Sequence, residues 1–252
     1  VVPLRQDYWR LARASRYSLL FALPLLVLYE AAAFALSGDA IAGVRNGADV
    51  LLKSLFLTLG GHRGLLAFDL MLLAIGAALV VRDLRRNRGG LQPGIFLGMA
   101  AEAVVGGLVF GLVAGTLTAL LLGKAAWLAQ ATLLAQGAGV ALDLPTRLMV
   151  SLGAGIYEEL LFRVVLVGAL AWAGRQLLGW SPTASGIVAA GLGALIFSAF
   201  HYIGPYGDPF ETGSFVFRAV AGLLFSGMYL LRGLGITAWT HALYDVFLSV
   251  GG

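Results

Sequence analysis

Three short clusters of ionisable residues sit inside stretches that are otherwise apolar. The first, Tyr157-Glu158-Glu159-Leu160-Leu161-Phe162-Arg163, holds two carboxylates and a guanidinium. The second is Phe197-Ser198-Ala199-Phe200-His201-Tyr202, and the third is Thr240-His241-Ala242-Leu243-Tyr244-Asp245. A charge near the centre of a bilayer costs about 2.5–3.5 kcal/mol on insertion scales, so such groups are candidates for chemistry. On α-helical geometry Glu159 and Arg163 are i,i+4, share a face and can neutralise each other. Glu158 is turned about 100° away and lacks that partner. Its own face carries Ala154 and Gly155 one turn back and Phe162 one turn on, and the small residues leave room for water or a peptide. Phe197 and His201 are i,i+4, and so are His241 and Asp245, so the Asp245 carboxylate can accept from a ring nitrogen and fix the tautomer. A glutamate with an imidazole can activate water, because the carboxylate takes its proton. A second imidazole can stabilise the oxyanion formed at an attacked carbonyl. The competing structural reading is a buried ion network tying helices together, with each histidine an interfacial or packing donor.

These residues must be positioned by membrane helices. The chain of 252 residues is 60% apolar and only 12% charged, with mean hydropathy +0.89. That composition excludes a disordered protein and argues against a water-soluble enzyme. Gly is abundant, at 35 residues, which suits closely packed membrane helices. Gly107, Gly111 and Gly115 lie four apart on one face and read as a helix-packing stripe. With no Cys, a disulfide framework, a thiol nucleophile and a thiolate metal site are all excluded. Seven stretches have the length and polarity of spans: about 17–37, 65–81, 95–122, 147–173, 183–203, 215–231 and 235–250. Ala48–Leu59, which carries Asp49 and Lys53, reads as an interfacial or re-entrant helix, and Ala125–Leu142 reads the same way. The first span is too long in its apolar core for a cleavable leader. Arg5, Arg10, Arg13 and Arg16, then Arg82, Arg85, Arg86 and Arg88, then Arg175 and Arg232 fall on one side, which places the N-terminus in the cytoplasm. Arg45 and Arg63 are the misfits on the outer side. The fold class is therefore an all-α polytopic membrane protein of about seven transmembrane helices, a single integral-membrane domain over 1–252 with 147–250 as its catalytic core.

Taken in order, the three clusters resemble the CAAX protease and bacteriocin-processing family of intramembrane glutamic endopeptidases. That family shows Glu-Glu-x-x-x-Arg, then Phe-x-x-x-His, then His-x-x-x-Asn or Asp on successive helical blocks. Here these are Glu158-Glu159-x-x-x-Arg163, Phe197-x-x-x-His201 and His241-x-x-x-Asp245. The resemblance implies that Glu158 and His201 activate the attacking water and that His241 with residue 245 stabilises the oxyanion. It implies that Glu159 and Arg163 shape the site and that no covalent acyl-enzyme is needed. An Asn at 245 would donate an amide hydrogen to the oxyanion, whereas an ionised Asp245 cannot, so Asp245 is either protonated or orients His241.

The expected function is hydrolysis of a peptide bond in a membrane-associated protein or peptide, with no cofactor, no metal and no nucleic-acid partner. The bilayer itself is the other partner, and the Ala-, Leu-, Gly- and Arg-rich composition points to a bacterial inner membrane. Two other readings are a proton-coupled transporter using the same groups as a relay and a zinc-dependent membrane peptidase with two His and one Glu as ligands. One tension follows from the span boundaries. His201 lies near the outer end of the fifth span and His241 near the inner start of the seventh, so either 215–231 is tilted or partly re-entrant, or the fifth span is displaced.

Overall fold

The computed structural model describes residues 4–37, 44–87, 89–123, 142–204 and 207–251. Nearly all of the expected segment Ala125–Leu142 lies outside them. Among the described residues the regular structure is helical: α1 (Leu4–Arg13), α2 (Ser15–Ser37), α3 (Gly47–Arg86), α4 (Pro93–Leu122), α5 (Leu144–Gly153), a π-helix (Ala154–Val167), α6 (Gly168–Leu177), α7 (Pro182–Phe200), α8 (Thr212–Arg232) and α9 (Leu234–Gly251). Local chemistry sets several boundaries. Asn46, Asp143 and Ser181 cap the starts of α3, α5 and α7, each side chain accepting from a first-turn backbone N–H. Proline follows at the first or second helical position of α4, α5 and α7, where its missing N–H costs nothing. Gly123 closes α4 at φ 62°, a left-handed conformation that glycine adopts without strain.

Five helices are long and apolar enough to cross a bilayer: Ser15–Leu36, Arg63–Arg86, Pro93–Leu122, Pro182–Phe200 and Thr212–Arg232. They correspond to five of the seven spans read from the sequence. The other two, the helical run 144–177 and α9, carry the first and third ionisable clusters, and the second lies at the end of α7. α9 packs against α2, α4, α5, the π-helix and α8, so the polar helices sit among the apolar ones. Leu70, Leu108, Leu112, Leu120 and Ile187 are exposed, while Asp49, Glu159 and Arg163 are buried. Apolar outside and charged inside is the arrangement a bilayer demands, and the chain is an integral membrane protein.

The Ala48–Leu59 segment forms the first part of α3, before a kink at Gly61, which has φ 58°. It presents Leu51, Leu55 and Leu59 outward and buries Asp49 and Lys53. Lys53 Nζ lies 2.8 Å from Asp49 and 2.7 Å from Glu30 of α2. The segment folds back on the span that follows it, with the Phe56 and Phe68 rings 5.1 Å apart. Arg45, a misfit for the outer side by charge alone, is paired there with Asp49 at 3.1 Å and Glu30 at 3.6 Å. Arg63 is exposed next to the kink. At the opposite end the basic residues meet: Arg16 donates to the Asn87 carbonyl at 2.9 Å, and Arg232 to Glu102 at 2.6 Å.

Small residues let the polar helices approach. A methyl added at Gly111 of α4 would lie 2.8 Å from the Tyr244 ring, and one at Gly107 would lie 3.0 Å from Leu243 of α9. The stripe expected on the third span is thus the α4–α9 contact. A methyl at Gly155 would run into the Ala238 carbonyl and lie 2.6 Å from the Ala242 Cβ. The space beside Glu158 that the sequence reading left for water or peptide at Gly155 is therefore filled by α9. A helical wheel shows that a face is small but not which neighbour uses the gap. Gly155→Ala is expected to lose about 1–3 kcal/mol through overpacking. Gly186→Ala, with nothing within 4 Å of its added methyl, is expected to lose none. Thermal melts of the two purified variants in one detergent check the contrast.

Candidate functional site

The Glu-Glu-x-x-x-Arg cluster lies in the π-helix, not in an α-helix as the 3.6-residue reading assumed. The π-helical run is 14 residues long, whereas such geometry is usually confined to single turns, frequently at functional sites. The i,i+4 pair survives the change. Arg163 Nε lies 3.2 Å from Glu159 Oε2, with both side chains at most 1% exposed. The other Glu159 oxygen, Oε1, is 2.8 Å from Nδ1 of His241. Glu159 thus joins Arg163 on its own helix to His241 on α9. The Arg163 guanidinium lies over the rings of Phe197, at 4.5 Å, and Phe225, at 5.4 Å. Such contacts suit a cation that has few oxygen partners.

The partner expected for His241 was Asp245. Its carboxylate does lie near, with Oδ2 3.6 Å from Nε2. That is longer than a hydrogen bond, and the side chain is 29% exposed. The closer and fully buried partner is Glu159. The tautomer is therefore set across helices at Nδ1, and Nε2 faces Asp245. The His241 ring also stacks on Phe225, with centroids 4.3 Å apart.

His201 closes α7 as its C-cap, so that span ends sooner than the expected 203. Its Nδ1 lies 2.9 Å from the Phe197 carbonyl. A carbonyl only accepts, so Nδ1 carries the proton and Nε2 of the neutral ring is left as an acceptor. The Phe197 ring neighbours both imidazoles, its centroid 4.8 Å from His201 and 6.4 Å from His241. The offset implied by the span boundaries is bridged by the π-helix, whose Glu158 interacts electrostatically with both His201 and His241.

Glu158 has a partner after all, supplied from outside its own helix. Asn46 Nδ2 donates to Glu158 Oε1 at 2.8 Å. The second oxygen, Oε2, is buried with no hydrogen-bond partner among the described residues, and a buried polar atom left in that state calls for an explanation. All seven residues singled out in the sequence, Glu158, Glu159, Arg163, Phe197, His201, His241 and Asp245, contribute to one centre. Two more were missed. Phe225 is one aromatic among many and carries no local signal. Asn46 precedes an apolar helix as a cap would, which marked a helix start but not a site. Among the described residues no group of three or more His, Cys, Asp and Glu is arranged to hold a metal ion.

Fold and site together define a polytopic helical membrane protein with a buried centre of carboxylates and imidazoles. Residues 140–247 match the family model of the Rce1-like type II CAAX prenyl endopeptidases. That segment contains all seven residues, and over it the chain is similar to the CAAX-protease family. No curated protein and no solved structure matches the chain.

The Glu159–Arg163 pair carries a direct stability test. Arg163→Ala leaves a carboxylate buried with one cation fewer, and breaking a buried pair costs roughly 3–5 kcal/mol. Glu159→Gln combined with Arg163→Met removes both charges and is expected to recover much of that loss. A thermal-melt series of the single and double variants measures the recovery, and the absence of any would remove the pair as a structural element.

Proposed function

We propose that the protein is an intramembrane endopeptidase of the glutamic type, hydrolysing a peptide bond in a membrane-associated protein or peptide. The observation that carries this is the buried Glu158 Oε2, without a hydrogen-bond partner among the described residues and on a carboxylate that interacts electrostatically with both imidazoles. In the proposed step, Glu158 takes a proton from water as the water oxygen bonds to the scissile carbonyl carbon. His201, with Nδ1–H committed to the Phe197 carbonyl, offers Nε2 as a second acceptor that orients the water. Charge moves onto the carbonyl oxygen, and His241, acting as an imidazolium protonated on both nitrogens, donates Nε2–H towards it while Nδ1–H is held from behind by Glu159. Glu158 then returns the proton to the amide nitrogen as the C–N bond breaks. No acyl-enzyme forms. The whole chain acts as one membrane domain in this reading, with 147–250 as its catalytic core, in a bacterial inner membrane.

Glu158→Gln is expected to lower turnover by about 10²- to 10⁴-fold while the protein still inserts and folds, since a Gln side-chain oxygen can still accept from Asn46. Mass spectrometry of protein termini, in membranes carrying the wild type or this variant, is expected to show a terminus present only with the wild type. Turnover near wild type in the purified variant would sink the assignment. Cleavage is also expected to survive strong chelators; its loss with recovery on added Zn²⁺ would favour a metal peptidase.

The geometry further ranks the two partners of His241. Glu159→Gln is expected to lower kcat more than Asp245→Asn, because the buried contact at 2.8 Å outweighs the part-exposed one at 3.6 Å. Kinetics on one substrate with both variants decide the order.

A further inference from the structure

Asn46 lies outside the segment that matches the family, yet it is the only side chain of α2 or α3 recorded in a hydrogen bond to Glu158 among the described residues. Its orientation is settled by its own bonds. Oδ1 accepts from the Ala48 backbone N–H at 2.9 Å as the helix cap, so the other terminal atom, facing Glu158, is the donating Nδ2. The backbone N–H of Asn46 donates to the Tyr29 hydroxyl at 3.3 Å, and that hydroxyl donates to Asp49 at 2.7 Å. Asp49 is held in turn by Arg45 and Lys53. Gly153, just before the π-helix, makes the approach possible, since a methyl there would lie 2.7 Å from the Asn46 Cβ.

We infer that Asn46 is a positioning residue for the reaction: its amide holds Glu158 Oε1, fixes the carboxylate rotamer and leaves Oε2 as the oxygen that handles the proton. An amide N–H donates to a carboxylate better than to a neutral carboxyl group, so the contact also holds Glu158 in its ionised, proton-accepting form. The ion cluster of Arg45, Asp49, Lys53 and Glu30 is the clamp that keeps α3, and with it Asn46, in register with the π-helix. The inference rests on the reading of Glu158 as the base.

The test follows the Glu158 carboxyl stretch by infrared difference spectroscopy across pH, on the full chain in lipid vesicles, the band being identified by its loss in Glu158→Gln. The other charged and titratable groups facing Glu158 are Glu159 and Arg163 on its own helix, His201 on α7, and His241 and Asp245 on α9; all are unchanged in the variants. Asn46→Ser keeps a competent cap but has no amide and is too short to reach the carboxylate. Asn46→Thr likewise keeps a cap, has no amide and adds no charge beside Glu158. A lost hydrogen bond to a charged group moves a titration midpoint by about one to two pH units. The midpoint is expected to rise by that amount in whichever variant folds, with kcat lowered at least tenfold and KM nearly unchanged. A wild-type midpoint in either folded variant overturns the inference and leaves Asn46 as a helix cap only. Full turnover by Glu158→Gln alongside a shifted midpoint would instead overturn the catalytic reading while the Asn46–Glu158 link stands.

Discussion

The Glu159 carboxylate is the point on which the interior of this protein depends. In a bilayer no water is at hand to satisfy a charge, so ionised groups must find one another. Glu159 meets Arg163 with one oxygen and His241 with the other, and in doing so fastens the π-helix to α9. Coulombic attraction between buried charges is strong only at short range and good geometry, so the helices must lie nearly backbone to backbone. Gly155 against Ala238 and Ala242 provides that closeness. α9 is in turn tied to α2, with the Gly235 N–H donating to the Ser18 hydroxyl at 2.9 Å and Trp239 Nε1 to the Phe21 carbonyl at 2.7 Å. One ionic bridge and a row of small residues thus set the positions of three helices.

Two adjacent glutamates then do different work because they face different neighbours. Glu158 meets the start of α3 through Asn46, and Glu159 meets α9 through His241. Each carboxylate has one hydrogen-bonded oxygen; the other oxygen of Glu159 faces the Arg163 cation at 3.2 Å, and that of Glu158 has no hydrogen-bond partner among the described residues. That division suits a pair in which one member handles a proton and the other holds the ring that must stay in place. Phe197, packed near both imidazoles, adds an apolar wall there, where on the proposed mechanism developing charge would be met by fixed groups and not by solvent.

Much of this was legible in the sequence. Charges in apolar stretches picked out residues that the fold brings together, because a cost of insertion is visible in composition alone. Apolar length located the five long spans, and the inverted polarity of Ala48–Leu59 marked it as something other than a plain span. What escaped reading was long-range. Asn46 and Glu158 are 112 positions apart, and no periodicity within either helix registers their contact. The π-helix was invisible because Glu159 and Arg163 pair at i,i+4 in either geometry. Asp245 looked like the natural partner of His241 because a helical wheel ranks neighbours on one helix and knows nothing of Glu159 across the interface.

The second polar cluster shows why the first half of the chain matters to a site that the second half supplies. Tyr157, the residue before Glu158, donates its hydroxyl to Glu30, and Lys53 lies 5.2 Å from the centroid of its ring. The Tyr29 ring packs against it at 5.3 Å. The π-helix is therefore gripped on one side by the Glu30–Lys53–Asp49–Arg45 cluster and on the other by His241. A carboxylate on a single helix would be free to change rotamer as charge moved through the site. Between two anchored faces, with Asn46 on Oε1, the direction of Glu158 is set by its neighbours, the kind of preorganisation that the proposed reaction would use. On the proposed mechanism the ion cluster would contribute at a distance, by denying the π-helix a second position.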